Sequence, residues 1–328
     1  MGAKLSLFHN IGKSAPHKTI SSQNILRYAC ISVKNSIFAV GTAISALCPI
    51  YPTLTKRANI PERNRKTTIY MKKFILDLMV NSVEALSDKH VLIKLTDSKP
   101  LPEMQPGQFV EVRVDDSPST FLRRPISINN VDYDRNELWL LVAAVGDGTR
   151  RLQQLHKGDY LNCVLPLGNS FTLPSEPGKK VLLVGGGVGV APLLYLGKRI
   201  KEEGSEPVFL LGARSAKDVL EKDLFEAVGR VLITTEDGSE GEKGFVTNHS
   251  ALSQEHFDMI ETCGPKPMMM AVARYAYKNN IECEVSLENK MACGVGACLC
   301  CVEKTVEGNK CVCKEGPVMN IKELTWQI

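Results

Sequence analysis

Six of the eleven cysteines stand between Cys293 and Cys313. They run Cys293-x4-Cys298-x-Cys300-Cys301-x9-Cys311-x-Cys313. Within them lies C-x4-C-x2-C with a further cysteine downstream, the thiolate spacing of a plant-type [2Fe–2S] cluster. Four thiolates are needed, two for each iron. One glycine-rich loop carrying the first three could wrap a cluster and aim backbone N–H groups at its sulfurs, and Gly294 and Gly296 suit such a loop. The expected ligands are Cys293, Cys298, Cys301 and Cys313, with Cys300 and Cys311 left over. A structural zinc site is the competing reading. Zinc sites usually pair two short CxxC-like motifs separated by roughly 12–20 residues. Cys298-x2-Cys301 is one such motif, and Cys311-x-Cys313 makes a poor second.

A cluster of this kind carries one electron at a time, so the rest of the chain should supply the other ends of an electron path. The chain has 328 residues, enough for two or three domains with their own cores. Residues 1–70 hold ten Lys/Arg and a single acid, Glu62, whereas the remainder is mildly acidic and offers no basic stripe for nucleic acid. No window reaches the 18 apolar residues of a membrane span; Ser36–Tyr51 comes nearest and is interrupted by Gly41 and Pro49. Clustered cysteines in a chain of this size suggest metal binding in a reducing, cytoplasmic setting rather than a disulfide framework. The first 70 residues read as a poorly ordered extension foreign to the folded protein, with a transit-like segment or a signal peptide centred on Ile37–Cys48 as the alternatives. Met71 would be a natural start.

Three units are expected after that extension: 71–174, 175–283 and 284–328. The first alternates in strand fashion, as in Phe109–Val114 and Leu138–Val142, with turns at Pro106-Gly107 and Asp147-Gly148, and predicts a small antiparallel barrel. From Gly178 the period changes. A buried-strand run at Lys180–Val184 leads through a glycine loop into a helix at about Ala191–Glu203. Strands at Val208–Leu211, Val231–Thr234 and Met259–Thr262 continue an α/β parallel sheet. The third unit is rich in cysteine and glycine.

Two further motifs carry chemistry. Gly185-Gly186-Gly187-Val188-Gly189 follows a strand and opens a helix, the context of a phosphate-binding turn, although Pro192 stands where a Rossmann fingerprint has its last glycine. Gly187 and Gly189 are therefore candidates for dinucleotide contact. Cys263-Gly264-Pro265 closes a later strand and puts a thiol at the carboxyl edge of the sheet, where ligands bind; a small buried residue is the plain alternative. In the barrel, Arg124 of Arg123-Arg124-Pro125-Ile126-Ser127 could grip a pyrophosphate through its planar fork, and Ser127 could hydrogen-bond a flavin ring. Gly146-Asp147-Gly148-Thr149 could add N–H groups and a hydroxyl to the same pyrophosphate. No Ser-His-Asp set or carboxylate pair is evident, and none is needed where cofactors carry the chemistry.

In order, RRPIS, GDGT, Pro166-Leu167-Gly168-Asn169, GGGVGVAP, CGPKPM and MACGVGACLCC resemble the ferredoxin–NADP reductase superfamily. Within it they are similar to the electron-transfer subunits of class 1B dihydroorotate dehydrogenases, from about Met71 to the C-terminus. The resemblance implies an FAD-binding barrel, an NAD-binding α/β domain and a C-terminal [2Fe–2S] domain. It implies FAD contacts from Arg124, Pro125, Ile126 and Ser127, from Leu141, Val142 and Ala143, and from Gly148 and Thr149. It also favours Cys313 over Cys311 as the fourth ligand. The implied reaction belongs to pyrimidine biosynthesis: an FMN-containing catalytic subunit oxidises dihydroorotate, and electrons pass through the cluster and FAD to NAD+, in a heterotetramer of two chains of each kind. Another reductase of the same build, an NAD(P)H:ferredoxin reductase or a hydrogenase-type diaphorase subunit, is the nearest rival. A non-catalytic zinc scaffold is the rival of a different class.

Overall fold

The computed structural model describes residues 72–326. The expectations for residues 1–70, and for Met71 as a start, lie outside them. Six strands form a closed antiparallel barrel: β1 (Phe74–Ser87), β2 (His90–Thr96), β3 (Phe109–Val112), β4 (Arg124–Asp132), β5 (Glu137–Ala143) and β6 (Tyr160–Leu167). They pair in the order β1-β2-β5-β4-β3-β6, and β1 closes the ring on β6. Alternate residues fill the barrel: Val110 and Val112 of β3, Ile126 and Ile128 of β4, and Leu138, Leu140 and Val142 of β5. On β3 the outward residues, Phe109 and Glu111, are buried as well, because the cysteine-rich segment covers them.

Past the barrel come β7 (Lys180–Gly186), β8 (Glu206–Ala213), β9 (Arg230–Thr235), β10 (Glu242–Lys243), β11 (Met259–Cys263) and β12 (Glu282–Ser286). Next is a hairpin of β13 (Val302–Thr305) and β14 (Gly308–Cys311), and last is β15 (Val318–Asn320). The sheet order is β10-β9-β8-β7-β11-β12-β15, parallel throughout except for β15, which runs antiparallel to β12. β7 is an unbroken apolar run because both faces of the sheet are covered. Val181 and Leu183 face the helix Ala191–Glu202, while Leu182 and Val184 face the helix Lys266–Lys278. The first helix buries Leu193, Leu194, Leu196 and Ile200, each contributing about 1.5–3 kcal/mol. Barrel, parallel sheet and cysteine-rich unit are the fold class expected from the sequence.

One local expectation differs. Asp147-Gly148 does not make a plain turn; it opens a short helix, Asp147–Leu152. Thr149 accounts for this, since its hydroxyl accepts hydrogen bonds from the N–H groups of Val145 and Gly146, at 3.0 and 3.1 Å, and caps the helix start. Among the described residues no helix is long and apolar enough to cross a membrane.

Candidate functional site

The cysteine-rich loop gathers its thiols in two pairs. Cys298 is tied to Cys293, and Cys313 to Cys301, by a backbone N–H of one on the sulfur of the other. Backbone N–H groups point at the sulfurs. Ala297 and Cys298 donate to Cys293 Sγ at 3.3 and 3.4 Å, Gly296 donates to Cys313 Sγ at 3.1 Å, and Cys313 donates to Cys301 Sγ at 3.3 Å. The loop achieves this with left-handed backbone at Gly294, Gly296 and Leu299. Burial raises the Cys293 pKa, but hydrogen bonds from Val295, Cys298 and Ala297 outweigh it and bring the thiol down to about 6. Burial and the Cys301 thiol push Cys313 up to about 12. Two thiol pairs under N–H donors are a donor set that fits a two-iron cluster. Cys301 and Cys313 are buried, Cys298 and Cys300 are exposed, and Cys311 lies at the end of β14.

The loop sits directly on the barrel. A Cβ on Gly294 would lie 2.6 Å from Glu111 Cγ. Glu111 is buried, and among the described residues neither carboxylate oxygen has a hydrogen-bond partner. Burial raises its pKa to about 7, with Arg123 opposing. Behind the loop, Asn169 stitches the end of β6 to the chain leaving the cysteines. Its side chain donates to the carbonyls of Glu315 and Val318 and accepts from the N–H of Val318 at 3.0 Å.

The barrel motif lies on the next strand, because β3 pairs with β4 and sets Phe109 opposite Ser127. The two arginines differ in what they touch. Arg123 donates to the carbonyls of Glu111 and Asn162 and to the Asn162 side chain, so it is a structural brace. Among the described residues Arg124 bonds its own turn, the carbonyls of Leu122 and Arg123. Its Nε would lie 3.0 Å from a Cβ on Gly148, so glycine there leaves the guanidinium room over the start of the short helix. Phe121, 92% exposed, and Val145, 76% exposed, lie close in sequence to Arg124 and Gly148 and leave apolar side chains uncovered there. Pro125 and Ser127 are half-buried, and Ile126 points into the barrel. Leu141 and Val142 bury their side chains in separate cores, which leaves the backbone and the half-buried Ala143 to face a ligand. The Thr149 hydroxyl is occupied by its cap.

On the sheet, β7 continues to β8 on one side, and β11 lies on its other side. Between β7 and β11 is the point where strand order reverses, where open α/β sheets bind ligands. The glycine loop leaves β7 there and Cys263-Gly264 leaves β11 beside it. A Cβ on Gly189 would fall 2.5 Å from Gly264 Cα, so only glycine lets the two loops touch. Gly187 is exposed with φ +55°. The buried Cys263 thiol, its pKa pushed up by burial, contacts Glu288 Oε1 at 3.9 Å. Glu288 is a residue that sequence reasoning missed, as no spacing marks it. Asn129, fully buried at the junction of barrel and sheet, was missed for the same reason.

Residues 288–325 match the iron–sulfur cluster binding domain of dihydroorotate dehydrogenase B, and residues 183–274 match the oxidoreductase NAD-binding domain. The electron transfer subunit of dihydroorotate dehydrogenase B (NAD(+)) from Shouchella clausii is 42% identical over 226 residues, covering 67% of this chain and 86% of that protein. The same subunit from Caldanaerobacter subterraneus subsp. tengcongensis is 43% identical over 223 residues, again covering 67% and 86%. Among solved structures, the NADH-dependent reduced ferredoxin-NADP oxidoreductase, studied for flavin-based electron bifurcation, superposes with a TM-score of 0.69 at 29% identity. That match covers 76% of this chain and 90% of that one. The chain belongs to the family of electron-transfer subunits of NAD(+)-dependent dihydroorotate dehydrogenase B.

Proposed function

We propose that the chain takes electrons from a separate FMN-containing catalytic subunit that oxidises dihydroorotate, and delivers them through a [2Fe–2S] cluster and FAD to NAD+. The assembly is a heterotetramer, two of each subunit, in the cytoplasm, where a reducing environment suits the nine free cysteines described. The working parts are an FAD-binding barrel at 71–174, an NAD-binding unit at 175–283 and a cluster unit at 284–328, with 1–70 as an extension.

The observation that carries this reading is the paired arrangement of Cys293 with Cys298 and Cys301 with Cys313, on a loop packed against the flavin-side strands of the barrel. Each pair would hold one iron, and the N–H groups of Gly296, Ala297, Cys298 and Cys313 stabilise charge on the sulfurs. Arg124, standing over Gly148, would hold the flavin pyrophosphate. Pro125, Ile126 and Ser127 would shape the ring site, as would the backbone of Leu141, Val142 and Ala143. Thr149 contributes indirectly by capping the short helix that begins beside Arg124. Gly187 and Gly189 would let the NAD+ phosphates approach the loop backbone, with Cys263 marking the nicotinamide end. When bound, flavin exchanges single electrons with the cluster and a hydride with nicotinamide, which is the conversion such a path requires.

The test is a division of labour. With its catalytic subunit, the wild-type chain should reduce NAD+ when dihydroorotate is added. Cys298→Ala, with FAD retained, should lose that activity and keep NADH-to-dye activity. Equal loss of both would count against the assignment.

A further inference from the structure

Strand β4 carries the flavin motif at residues 124–127 and, two residues on, an irregularity. The register against β5 shifts between Ile128 and Asn130. Ile128 and Val131 remain in the barrel core, so the shift turns two consecutive asparagines outward. Asn129 is 0% exposed and Asn130 is 1% exposed, yet neither contributes to the barrel interior.

Both reach the helix that follows the glycine loop. Asn129 Nδ2 donates to the carbonyl of Ala191, the first residue of that helix, at 3.2 Å, and to Glu221 Oε2 at 2.9 Å. Both partners are acceptors, so the amide nitrogen must face them. Asn130 Oδ1 accepts from Lys198 Nζ at 3.0 Å, two turns along the same helix. Glu221 sits in left-handed backbone, φ +55°, an uncommon conformation for glutamate, and its side chain nonetheless ends on Asn129. Tyr195 adds a bond to the Met104 carbonyl, but from outside β4. A single side chain thus joins the flavin-side strand, the mouth of the nucleotide loop and the connection after β8.

We propose that Asn129 is a positioning residue for hydride transfer, holding the glycine loop and its helix at a fixed offset from the flavin-binding strand. In the step it serves, NAD+ accepts a hydride, two electrons and a proton, from reduced flavin, and one further proton goes to solvent. Asn129 touches neither reactant. It acts through the Ala191 carbonyl, and displacing a reacting group by about 1 Å can cost a hundredfold in rate. The inference rests on the flavin and nucleotide placements proposed above.

The experiment uses the full chain with cofactors in place, as wild type, Asn129→Ala and Asn129→Ser. Serine keeps a donor and should recover part of the effect. Two readings are taken: the rate of flavin reduction by NADH in stopped flow, followed over a range of NADH concentrations up to saturation, and hydrogen–deuterium exchange of the segment 187–199. For Asn129→Ala the flavin reduction rate should fall roughly tenfold or more. The KM for NADH should change less than twofold, and exchange in 187–199 should rise roughly tenfold with that of β5 unchanged. A rate within twofold of wild type overturns the proposal. So does a slowed rate with unchanged exchange, or faster exchange with an unchanged rate. Loss of flavin from both variants would also sink it, by making the contact a barrel brace. Failure of the wild type itself to reduce flavin with NADH would instead refute the proposed function.

Discussion

Arg123 and Arg124 are neighbours of the same type, yet one braces Asn162 and the carbonyl of Glu111 while the other, among the described residues, bonds its own turn over Gly148. A run of like residues does not say which member is free to bind; the packing of β3 and β6 beneath them decides. Glu221 is a second case where surroundings set the chemistry. Burial raises its pKa to about 7, Asn129 and the nearby Lys198 and Lys94 oppose, and Glu84 adds to the rise. The folded state therefore keeps a proton that the unfolded chain releases near its ordinary 4.5. Stability should fall as pH rises between those values, by on the order of 3 kcal/mol. Glu221→Gln cannot titrate, so its thermal midpoint should gain on wild type from pH 5 to pH 8. A difference between the two that stays flat across that range would show that Glu221 ionises normally in the fold.

At the level of elements, β7, β8, β9 and β11 and the helix after the glycine loop were legible because their signals are local: apolar runs, a glycine loop, Pro192 at a helix start. The cysteine spacing was legible for the same reason. Contacts between elements were not. Nothing near Val318–Asn320 announces that it extends the parallel sheet as an antiparallel edge. Nothing in Pro166-Leu167-Gly168-Asn169 announces that Asn169 ties the barrel to the cysteine-rich segment through its side chain. Glu288 and Asn129 were invisible because their partners are 25 and 62 residues away. The Asn169 tie has a measurable weight. Asn169→Ala should cost about 1–3 kcal/mol, the range for losing partly buried hydrogen bonds. It should lower the thermal midpoint and speed loss of the cluster on storage, with flavin content unchanged. Cluster retention equal to wild type would mean the rest of the interface suffices.

For the whole molecule, the arrangement is a path. The cysteine loop rests on β3, the flavin motif lies on β4 beside it, and Asn129 at the far part of β4 meets the helix of the glycine loop. The proposed single-electron and hydride sites would then lie on either side of one barrel strand pair, and the protein's contribution would be to hold them there. The most direct test is reductive titration of the purified, anaerobic full chain, followed in the visible spectrum with iron and zinc measured on the same sample. Two irons per chain and flavin plus [2Fe–2S] bands that bleach with about three electron equivalents are expected, since flavin takes two electrons and the cluster one. Stoichiometric zinc without iron, in a colourless protein, would contradict the account.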